Sequence, residues 1–477
     1  MTTFTTVIGL EVHVQLATHS KLFSPAPAAA LGDPNTRVHV IDLGLPGVLP
    51  RPNATAIALA VRTALALGGN VQRISRFARK NYFYPDLPKG YQISQYEEPV
   101  CLGGTVPLDG KRGCRLHRIH IEEDAGKLTH GDLGTLVDLN RAGVPLVEIV
   151  SEPDLRNPID AHAFLVNLRE ILRFAGVSDC DMELGSMRCD ANISLMPAGA
   201  TEYGTKVEVK NLNSLKMVQR ALEYEERRQA AVLSAGGRIA AETRSWNDET
   251  GESRPMRSKE SAPDYRYFPD PDLPPLVLDE AFIEAQRRAL GELPQARRQR
   301  YREVYGLPEY DIDALTQETR TGDWFEAVVR AGTGAKTASN WVMSDVLPAQ
   351  RERATPLADF PVTPERLAEL LRLLDQKALT QVSARQVFRH MLDHNGTAAD
   401  AMSELGLLRI ADPKVLEPLV AAAIVALPEA AAAVRDGKDR AIDALKGNVM
   451  RATKGRADPV LVDELLRTAI ARSALPK

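Results

Sequence analysis

The stretch TVIGLEVHVQL, Thr6 to Leu16, alternates polar and apolar residues, and the expected fold follows from this alternation. Glu11, His13 and Gln15 recur at every second position, so in an extended strand their side chains share one face. We interpret the stretch as a candidate pair of strands. The stretch CRLHRIHIEED, residues 114–124, repeats the alternation and indicates further β structure.

The first half of the chain has the pattern of an α+β domain. Strand and turn signals fill residues 5–278 and are interrupted by two long helical patterns. One follows Asn157, an N-cap residue with proline behind it, and the other runs from Ser214 to the glycines at 236 and 237. The proline-rich stretch SAPDYRYFPDPDLPP, residues 261–275, predicts a loop fixed on the surface, because prolines remove backbone donors.

The second half of the chain has only helical patterns. Strand signals end near residue 293, and helical periodicity with caps follows, as in TPERLAELLRLLDQKA. A break near SELGLLRIADP separates the last 70 or so residues. We therefore predict three domains: an α+β domain over residues 1–292, an all-α domain over 293–407 and a small helical tail over 408–477.

Composition limits the class of protein. The chain has 477 residues, 44% of them hydrophobic and 26% charged, with a net charge of −4, which excludes a disordered chain and a wholly basic nucleic-acid-binding surface. Four cysteines without CxxC spacing predict a reducing cytoplasm. Without a signal peptide or an apolar run of about 18 residues, we expect no contact with a membrane.

Acidic residues recur in mostly apolar predicted strands. Buried carboxylates need a cation or a donor, and several together suit Mg²⁺, which binds carboxylates while keeping water and substrate phosphate. Each one alone is more simply explained as an outward residue of a half-buried sheet, and six across four strands weaken that alternative without removing it. The candidate metal ligands are Glu11, His13, Glu122, Glu123, Glu148 and Asp190.

Two further stretches offer cations and amides for a phosphate group. RKNYFYPDLPKGYQIS contains Lys80, Asn81 and Tyr82, and a lysine in a fixed turn could bind phosphate or a nucleotide as a point charge. The alternative is that its aromatic residues simply pack. VEVKNLNS places Lys210 at the end of a predicted strand, where strand termination and helix capping are the alternative explanation.

Basic residues concentrate in the tail, between Arg435 and Arg456. Seven basic residues stand there against three acidic ones, which makes this segment the best candidate for a nucleic-acid contact, although a solvated helix face is the commoner meaning. The stretch GTGAKTAS, residues 332–339, is not a phosphate-binding loop, because alanine stands where glycine is needed and its surroundings are helical.

These motifs together resemble one family, the B subunit of the aspartyl/glutamyl-tRNA amidotransferase. The resemblance rests on VIGLEVHVQL, RKNYFYPDLPKGYQIS, IEEDAGK, VDLNRAGVPLVEIVSEPD, MRCDANIS, VEVKNLNS, DYRYFPDPDLPPL and MRATKGRADPVLVDELL, in that order. It implies a first domain related in fold to glutamine synthetase, with a mostly antiparallel sheet. A helical domain and a small helical tail that helps to hold tRNA follow.

The resemblance also implies the chemistry. ATP would phosphorylate the side-chain carboxylate of tRNA mischarged with Asp or Glu, and ammonia would displace the phosphate, with Mg²⁺ neutralising charge. His13, Glu123 and Glu148 resemble one metal site, with Glu11, Glu122 and Asp190 near a second site or near the substrate. The implied catalytic residues are Glu11, Lys80, Tyr82, Asp190 and Lys210. The implied nucleotide-binding residues are Lys80, Asn81 and Lys210.

The resemblance implies partners as well. The sequence has no glutaminase signature, so ammonia would come from a glutaminase A subunit, with a small C subunit completing a heterotrimer that acts on tRNA(Asn) or tRNA(Gln). Some relatives carry a four-cysteine zinc module where this chain has Ser24, Pro25, His39 and Asp42, so we expect no structural zinc.

Two other functions remain open from the residues alone. A free-standing ATP-dependent carboxylate–amine ligase for a small metabolite would need the same carboxylates, but neither the basic tail nor the helical half. A non-catalytic RNA-binding or scaffold protein would use the carboxylates only to cap strands.

Overall fold

The computed structural model describes residues 4–29, 32–109, 112–258, 264–407 and 410–472. The chain divides into two compact units, Met1–Ala296 and Arg297–Lys477. The first unit combines a large sheet with helices, and the described part of the second unit is helical. An α+β unit followed by a helical one is thus confirmed.

The strands of the described residues all lie in the first unit. Most are short, and three of them exceed ten residues. They are β1 (Phe4–Gln15), β2 (Asn70–Val71), β3 (Ile74–Ser75), β4 (Ala78–Asn81), β5 (Tyr91–Ser94), β6 (Cys101–Leu102), β7 (Thr105–Pro107), β8 (Gly113–Glu123), β9 (Lys127–Gly131), β10 (Gly134–Asp138), β11 (Pro145–Ser151), β12 (Met187–Pro197), β13 (Val207–Leu212), β14 (Glu242–Asn247), β15 (Glu252–Ser258), β16 (Phe268–Pro269) and β17 (Leu276–Val277).

The long strand β1 lies in the middle of a 13-stranded sheet with the path β15-β14-β13-β12-β1-β11-β8-β5-β4-β16. All neighbours on this path are antiparallel except the parallel pair β13 and β14. The stretch Thr6 to Leu16, expected as a pair of strands, lies as far as Gln15 in one continuous strand instead. An unbroken strand can pair with β12 on one side and β11 on the other, which joins the two halves of the sheet.

The two helices of the first unit that the sequence predicts begin where its signals place them. Asn157 and Ser214 both cap their helices by accepting a backbone N–H three residues ahead, as predicted. Phe268 and Pro269, in the proline-rich stretch, form the short strand at the end of the sheet path, and residues 261–263 of that stretch lie outside the described residues. The helices are α1 (Ala54–Ala66), α2 (Pro158–Phe174), α3 (Leu215–Ser234), α4 (Glu280–Ala289) and α5 (Pro294–Glu303), which crosses the boundary between the units.

One face of the sheet is apolar and forms the core. Ile8, Leu10 and Val12 of β1 are at most 1% exposed and belong to one hydrophobic cluster with residues of α2 and α3, such as Phe164 and Leu222. Burying a side chain of this size contributes about 1.5–3 kcal/mol. Because side chains alternate along a strand, the residues between these positions face the opposite side. We call that side, which carries the partly buried Glu11 and His13, the polar face.

The second unit contains helices and, among its described residues, no strand. Its hydrophobic residues form two clusters, one between Tyr301 and Met402 and one between Leu416 and Ile470. Its helices are α6 (Glu309–Thr316), α7 (Thr319–Arg330), α8 (Ala335–Trp341), α9 (Leu347–Glu352), α10 (Pro364–Asp375), α11 (Gln381–Asp393), α12 (Ala398–Glu404), α13 (Pro413–Ala426), α14 (Pro428–Arg435), α15 (Ile442–Ala452) and α16 (Pro459–Arg472), with a π-helix over Val342–Val346 between α8 and α9.

The division of the second unit into a helical domain and a tail stays a prediction. Residues 408 and 409, where the tail is expected to begin, lie outside the described residues, as do residues 473–477. Within the described residues, no single helix is long and apolar enough to cross a membrane. Among the same residues, α13 and α14 meet that test only when taken together, and they are bent by 97° at the break between them.

A buried ion pair holds the segment after β1. Lys21 Nζ donates to Asp42 Oδ2 at 3.0 Å and to the Leu139 carbonyl at 3.3 Å. The side chains of Lys21 and Asp42 are 0% and 4% exposed. Burial lowers the pKa of Lys21, and the charge of Asp42 only partly offsets this effect. The ammonium group therefore depends on its carboxylate partner.

We predict that Asp42→Ala destabilises the protein by about 3–5 kcal/mol, because it leaves a buried ammonium group without its counter-charge. The double variant Lys21→Met/Asp42→Leu removes both charges and should cost less than the single change. Urea denaturation followed by circular dichroism measures both. The control is Glu280→Ala, which breaks the exposed pair of Glu280 with Arg73 and should cost at most about 1 kcal/mol. Equal costs for Asp42→Ala and Glu280→Ala would contradict the prediction.

Candidate metal centre on the polar sheet face

The register of four neighbouring strands brings polar side chains together on the polar face. His13 of β1 lies opposite Glu148 of β11, and Glu148 lies opposite His120 of β8. On the other side of β1, Glu11 lies opposite Asp190 of β12. Opposed residues on antiparallel strands have Cβ atoms about 4.5–5.5 Å apart, so their side chains interact directly.

The side chains of His13, Glu122 and Glu148 form a group that could hold a metal ion. His13 Nε2 is 3.5 Å from Glu122 Oε1 and 3.4 Å from Glu148 Oε2. One ligand atom from each residue lies within 4.8 Å of the others, and this is the one such group among the described residues. We call these three residues the triad.

Opposite charges stabilise the triad in the absence of a metal. Burial lowers the pKa of His13, but a hydrogen bond to Glu148 and the charges of Glu148, Glu122 and Asp190 outweigh it and raise the pKa to about 9. Burial raises the pKa of Glu148, but His120 and His13 outweigh it and hold the pKa well below its usual range. A metal ion bound here would replace the proton of His13 as the positive charge.

The donor set of the triad fits a divalent cation. Two carboxylate groups offer the oxygen ligands that Mg²⁺ and Mn²⁺ prefer, and a neutral imidazole nitrogen adds a ligand that transition metals such as Mn²⁺ accept. The triad is open to solvent at His13, whose side chain is 23% exposed, while Glu122 is buried. Water and substrate oxygens can therefore complete the coordination of an ion.

His120 belongs to this site, although the sequence analysis did not select it. Its Nε2 is 3.1 Å from Glu148 Oε2 and 3.8 Å from Glu122 Oε2, and the residue is 2% exposed. Its Nδ1 has no hydrogen-bond partner among the described residues. A histidine that bonds to a ligating carboxylate fixes the orientation of that carboxylate. Its position two residues before Glu122 was the available signal, since both residues must share a face.

Glu123 does not lie where the resemblance placed it. It was grouped with His13 and Glu148, but the structure brings Glu122 to that position, because successive residues of β8 point to opposite faces. Lys89 Nζ donates to Glu123 Oε2 at 2.6 Å, and the Ile93 amide donates to Glu123 Oε1 at 2.8 Å. The carboxylate is thus already paired in this structure.

Glu11 and Asp190 form a second acidic group beside the triad. Asn192 Nδ2 donates to Glu11 Oε1 at 3.0 Å. Lys210 forms ion pairs with Asp190 and with Glu208, the latter at 3.1 Å. Burial lowers the pKa of Lys210, but Asp190 and Glu208 outweigh it and raise the pKa. The structure thus brings Lys210 to the carboxylates, as a cation that they hold in place.

Lys80 and Asn81 lie in β4, near one end of the sheet path, and Tyr82 follows this strand. Lys80 Nζ lies over the rings of Tyr265 and Tyr82, at 5.0 and 5.8 Å from their centres. Asn81 Nδ2 donates to the Arg266 carbonyl at 2.7 Å, so this amide ties β4 to the proline-rich stretch. Burial and the charge of Glu122 raise the pKa of Tyr82, which keeps its phenol protonated.

We predict that Glu122→Gln and Glu148→Gln each weaken Mn²⁺ binding by at least about tenfold, because each removes an anionic ligand of the triad. Isothermal titration of the metal-free protein with MnCl₂ measures the dissociation constant without any substrate. Glu97→Gln, which changes an exposed carboxylate, is the matched control and should bind as the wild type does. Unchanged affinity in both triad variants would rule out the triad as the main metal site.

Comparison with known proteins gives matches over nearly the whole chain. A family model described as "GatB/GatE catalytic domain" matches residues 6–284, and one described as "GatB domain" matches residues 323–470. A protein of Geobacillus kaustophilus (strain HTA426) is 48% identical over 473 residues, which are 98% of this chain and 99% of that protein. One of Staphylococcus carnosus (strain TM300) is 47% identical over 467 residues, which are 97% and 98% of the two chains. Both are named as the B subunit of aspartyl/glutamyl-tRNA(Asn/Gln) amidotransferase.

Proposed function

The chain belongs to the family of the B subunit of aspartyl/glutamyl-tRNA(Asn/Gln) amidotransferase, and from that premise we propose that its polar face activates a carboxylate with ATP. The chain is thus a component of a tRNA-dependent amidotransferase, an enzyme of the ligase type. The matches cover the helical half as well as the sheet, so they support this function and not a free-standing ligase for a small metabolite.

The reaction that we propose has two steps. A side-chain carboxylate of Asp or Glu on tRNA is a poor electrophile, so one of its oxygens first attacks the γ-phosphorus of ATP, and ADP leaves. The nitrogen of ammonia then attacks the carbonyl carbon of the acyl phosphate, inorganic phosphate leaves, and the nitrogen loses a proton to give the amide. Both steps depend on positioning and on charge neutralisation rather than on a covalent bond to the protein.

The observation that carries the proposal is the triad on the polar face. His13, Glu122 and Glu148 would hold Mg²⁺, and His120 would orient Glu148. The bound ion would supply Lewis-acid stabilisation of the phosphate charge. Glu123 points to the opposite face of β8 and pairs with Lys89, so its role as a metal ligand stays a prediction.

The remaining predicted residues offer cations, carboxylates, an amide and a phenol to the substrates. We propose that Lys80 and Lys210 neutralise phosphate charge and that Glu11 and Asp190 position Lys210 and a second ion or the substrate amine. Tyr82, as a protonated phenol, can donate a hydrogen bond to the reacting carboxylate. Asn81, which the resemblance assigns to the nucleotide, also holds the backbone of the proline-rich stretch in place.

Ammonia must come from another chain. The sequence contains no glutaminase signature, and the word "subunit" in the relatives' names implies an assembly of several chains. We propose a heterotrimer with a glutaminase A subunit and a small C subunit.

We propose that the protein acts in the cytoplasm. Its buried cysteines carry free thiols, as expected in a reducing compartment: Cys101, Cys114, Cys180 and Cys189. We also propose that the sheet unit is related in fold to glutamine synthetase.

The tail supports a contact with tRNA(Asn) or tRNA(Gln) charged with Asp or Glu. Of its seven predicted basic residues, Lys446 pairs with Asp463 at 2.6 Å, and Arg456 donates to the carbonyls of Thr453 and Gly406. These two stabilise the helical cluster itself. The exposed ones are Arg435, Lys438, Arg440, Arg451 and Lys454. We propose that these five bind the phosphates of tRNA.

We predict that Glu148→Gln lowers the rate of amide formation by at least about 100-fold, because the phosphate charge loses its counter-ion. The assay uses the complex with its partner subunits, ATP, Mg²⁺ and mischarged tRNA, with ammonium chloride in place of glutamine. Bypassing glutamine isolates the step assigned to this chain. Glu97→Gln is again the control. Wild-type rates with Glu148→Gln would place the activation step elsewhere.

A second prediction concerns the five exposed basic residues of the tail. Replacing each by glutamine should raise the KM for tRNA, and should reduce the slope of log affinity against log salt by roughly one for each phosphate that is no longer bound. Filter binding at several salt concentrations measures the slope. Lys414→Gln, which changes an exposed lysine outside the segment, should leave the slope unchanged. A variant with all five replacements and the wild-type slope would refute the proposed role of the tail.

A further inference from the structure

The connection between β8 and β11 contains a hairpin that stands apart from the large sheet. Its two strands, β9 and β10, pair with each other in a separate two-stranded sheet and are joined by a turn at Asp132 and Leu133. Every residue from Lys127 to Asp138 is exposed or half-buried. An isolated two-stranded hairpin is only marginally stable in water, so its own strands do not explain its presence. We call residues 127–138 the arm.

The arm has an apolar tip. Leu133, in the turn, is fully exposed at 106%, and Leu136 is 75% exposed. Single exposed leucines are ordinary on a protein surface. These two lie three positions apart on an element that buries none of its own side chains, so they add nothing to the core of this chain. A pair of leucines presented in this way is suited to burial against another molecule.

The base of the arm is held firmly. The Asn35 amide donates to Asp138 Oδ1 at 3.1 Å, its Nδ2 donates to the Val137 carbonyl at 2.9 Å, and its Oδ1 accepts from the Leu139 amide at 2.8 Å. At the other end of the arm, a Cβ atom on Gly126 would lie 2.9 Å from the Asp138 carbonyl oxygen, so the two ends pack closely. A tip on a fixed base costs less entropy to dock than one on a loose loop.

The arm joins the two strands that carry the carboxylates of the triad. Strand β8, with Glu122, ends at Glu123, and strand β11, with Glu148, begins at Pro145 opposite Glu123. A molecule that holds the arm therefore lies beside these strand ends. Ammonia must reach the site unprotonated, because an ammonium ion has no electron pair for the attack. The chain that releases ammonia thus has to adjoin the site closely enough to exclude water.

The charge of the arm fits a protein and not RNA. The arm has one lysine, Lys127 at its base, against two aspartates, Asp132 in the turn and Asp138 at its base. RNA phosphates are bound by clusters of basic residues, and the carboxylate of Asp132 at the tip would repel them. An apolar tip with one carboxylate is complementary to an apolar pocket that has a cation at its rim.

We infer that the arm docks into an apolar pocket of the glutaminase subunit, where Leu133 and Leu136 are buried and Asp132 pairs with a cation at the rim. The inference rests on the proposed function, in which that subunit supplies ammonia, and it adds how this chain keeps its supplier beside the triad. The other possible occupants are the small C subunit, a second copy of this chain and tRNA, and the first test distinguishes them.

The first test identifies what touches the tip. In the complex with its partner subunits and tRNA, p-benzoylphenylalanine is placed at position 133, where the exposed Leu133 leaves room for it, and the sample is irradiated. Mass spectrometry should find cross-links to the glutaminase subunit. The same group in place of Leu184, which is 65% exposed in a turn, measures chance cross-linking. Cross-links only to the C subunit, to a second copy or to tRNA, or none above this control, would overturn the inference.

The second test measures what the tip contributes to assembly. Leu133→Ser/Leu136→Ser should raise the dissociation constant of this chain from the pair of its partner subunits by at least about tenfold, because leucines buried at an interface are lost. Sedimentation velocity over a dilution series measures the constant. The matched control is Leu49→Ser/Leu184→Ser, which changes two leucines that are 62% and 65% exposed and should keep the wild-type constant. Equal constants for the two double variants would contradict the docking.

The source of nitrogen separates this inference from the proposed function. At a protein concentration where half of the wild-type chain is assembled, the arm variant should form amide from glutamine at least about fivefold more slowly, but at the wild-type rate from excess ammonium chloride. Equal losses with both nitrogen sources would overturn the inference, because the arm would then act within the site itself. A wild-type complex that forms no amide from ammonium and ATP would overturn the proposed function, whereas the cross-link at position 133 still decides the docking.

Discussion

The register of β1 between β12 and β11 fixes the positions of the polar groups at the centre of the candidate site. This register places His13 beside Glu148 and Glu11 beside Asp190. A slip of one residue would turn His13 into the core and the buried Val12 onto the polar face. The apolar residues packed under β1 therefore fix the positions of the polar ones. The same register is therefore required both for the stability of the core and for the geometry of the site.

The polar face concentrates negative charge, which the cationic side chains of the protein balance when no metal ion is bound. His13 and His120, whose pKa values are both raised by the neighbouring carboxylates, stand among Glu122 and Glu148. Lys210 stands between Asp190 and Glu208. Anions held this way are pre-arranged for a cation, because folding of the sheet has already brought them together. A divalent ion bound here would take over the role of the proton on His13. In the proposed function, the same arrangement would serve phosphate, which needs cations at fixed positions.

Local sequence patterns predicted individual strands and helices. The register between strands determines which of their residues meet in the candidate site. The period of two correctly placed Glu11 and His13 on one face, and the caps at Asn157 and Ser214 correctly placed two helices. The same period would have separated Glu122 from Glu123, but the resemblance grouped Glu123 with His13. Only pairing between distant strands, which a single sequence does not reveal, shows that Glu122 is the residue beside His13 and Glu148.

Contacts between distant residues account for the other differences. Lys89 pairs with Glu123 across a separation of 34 residues, and Asn192 reaches Glu11 across 181. Neither pair has a local signal in the sequence. The single strand β1, expected as two, has the same cause, since its length is set by the neighbours on both sides. The division of the helical unit, the site roles and the partners remain predictions.

Binding of the catalytic metal ion by the triad is the step from which the proposed chemistry follows. Anomalous diffraction from crystals of the complex soaked in MnCl₂ can locate that ion without reference to activity. We expect a peak about 2.0–2.3 Å from ligand atoms of His13, Glu122 and Glu148. A peak bound to Glu123 in place of Glu122, or no peak on the polar face, would show that the triad is not the metal site.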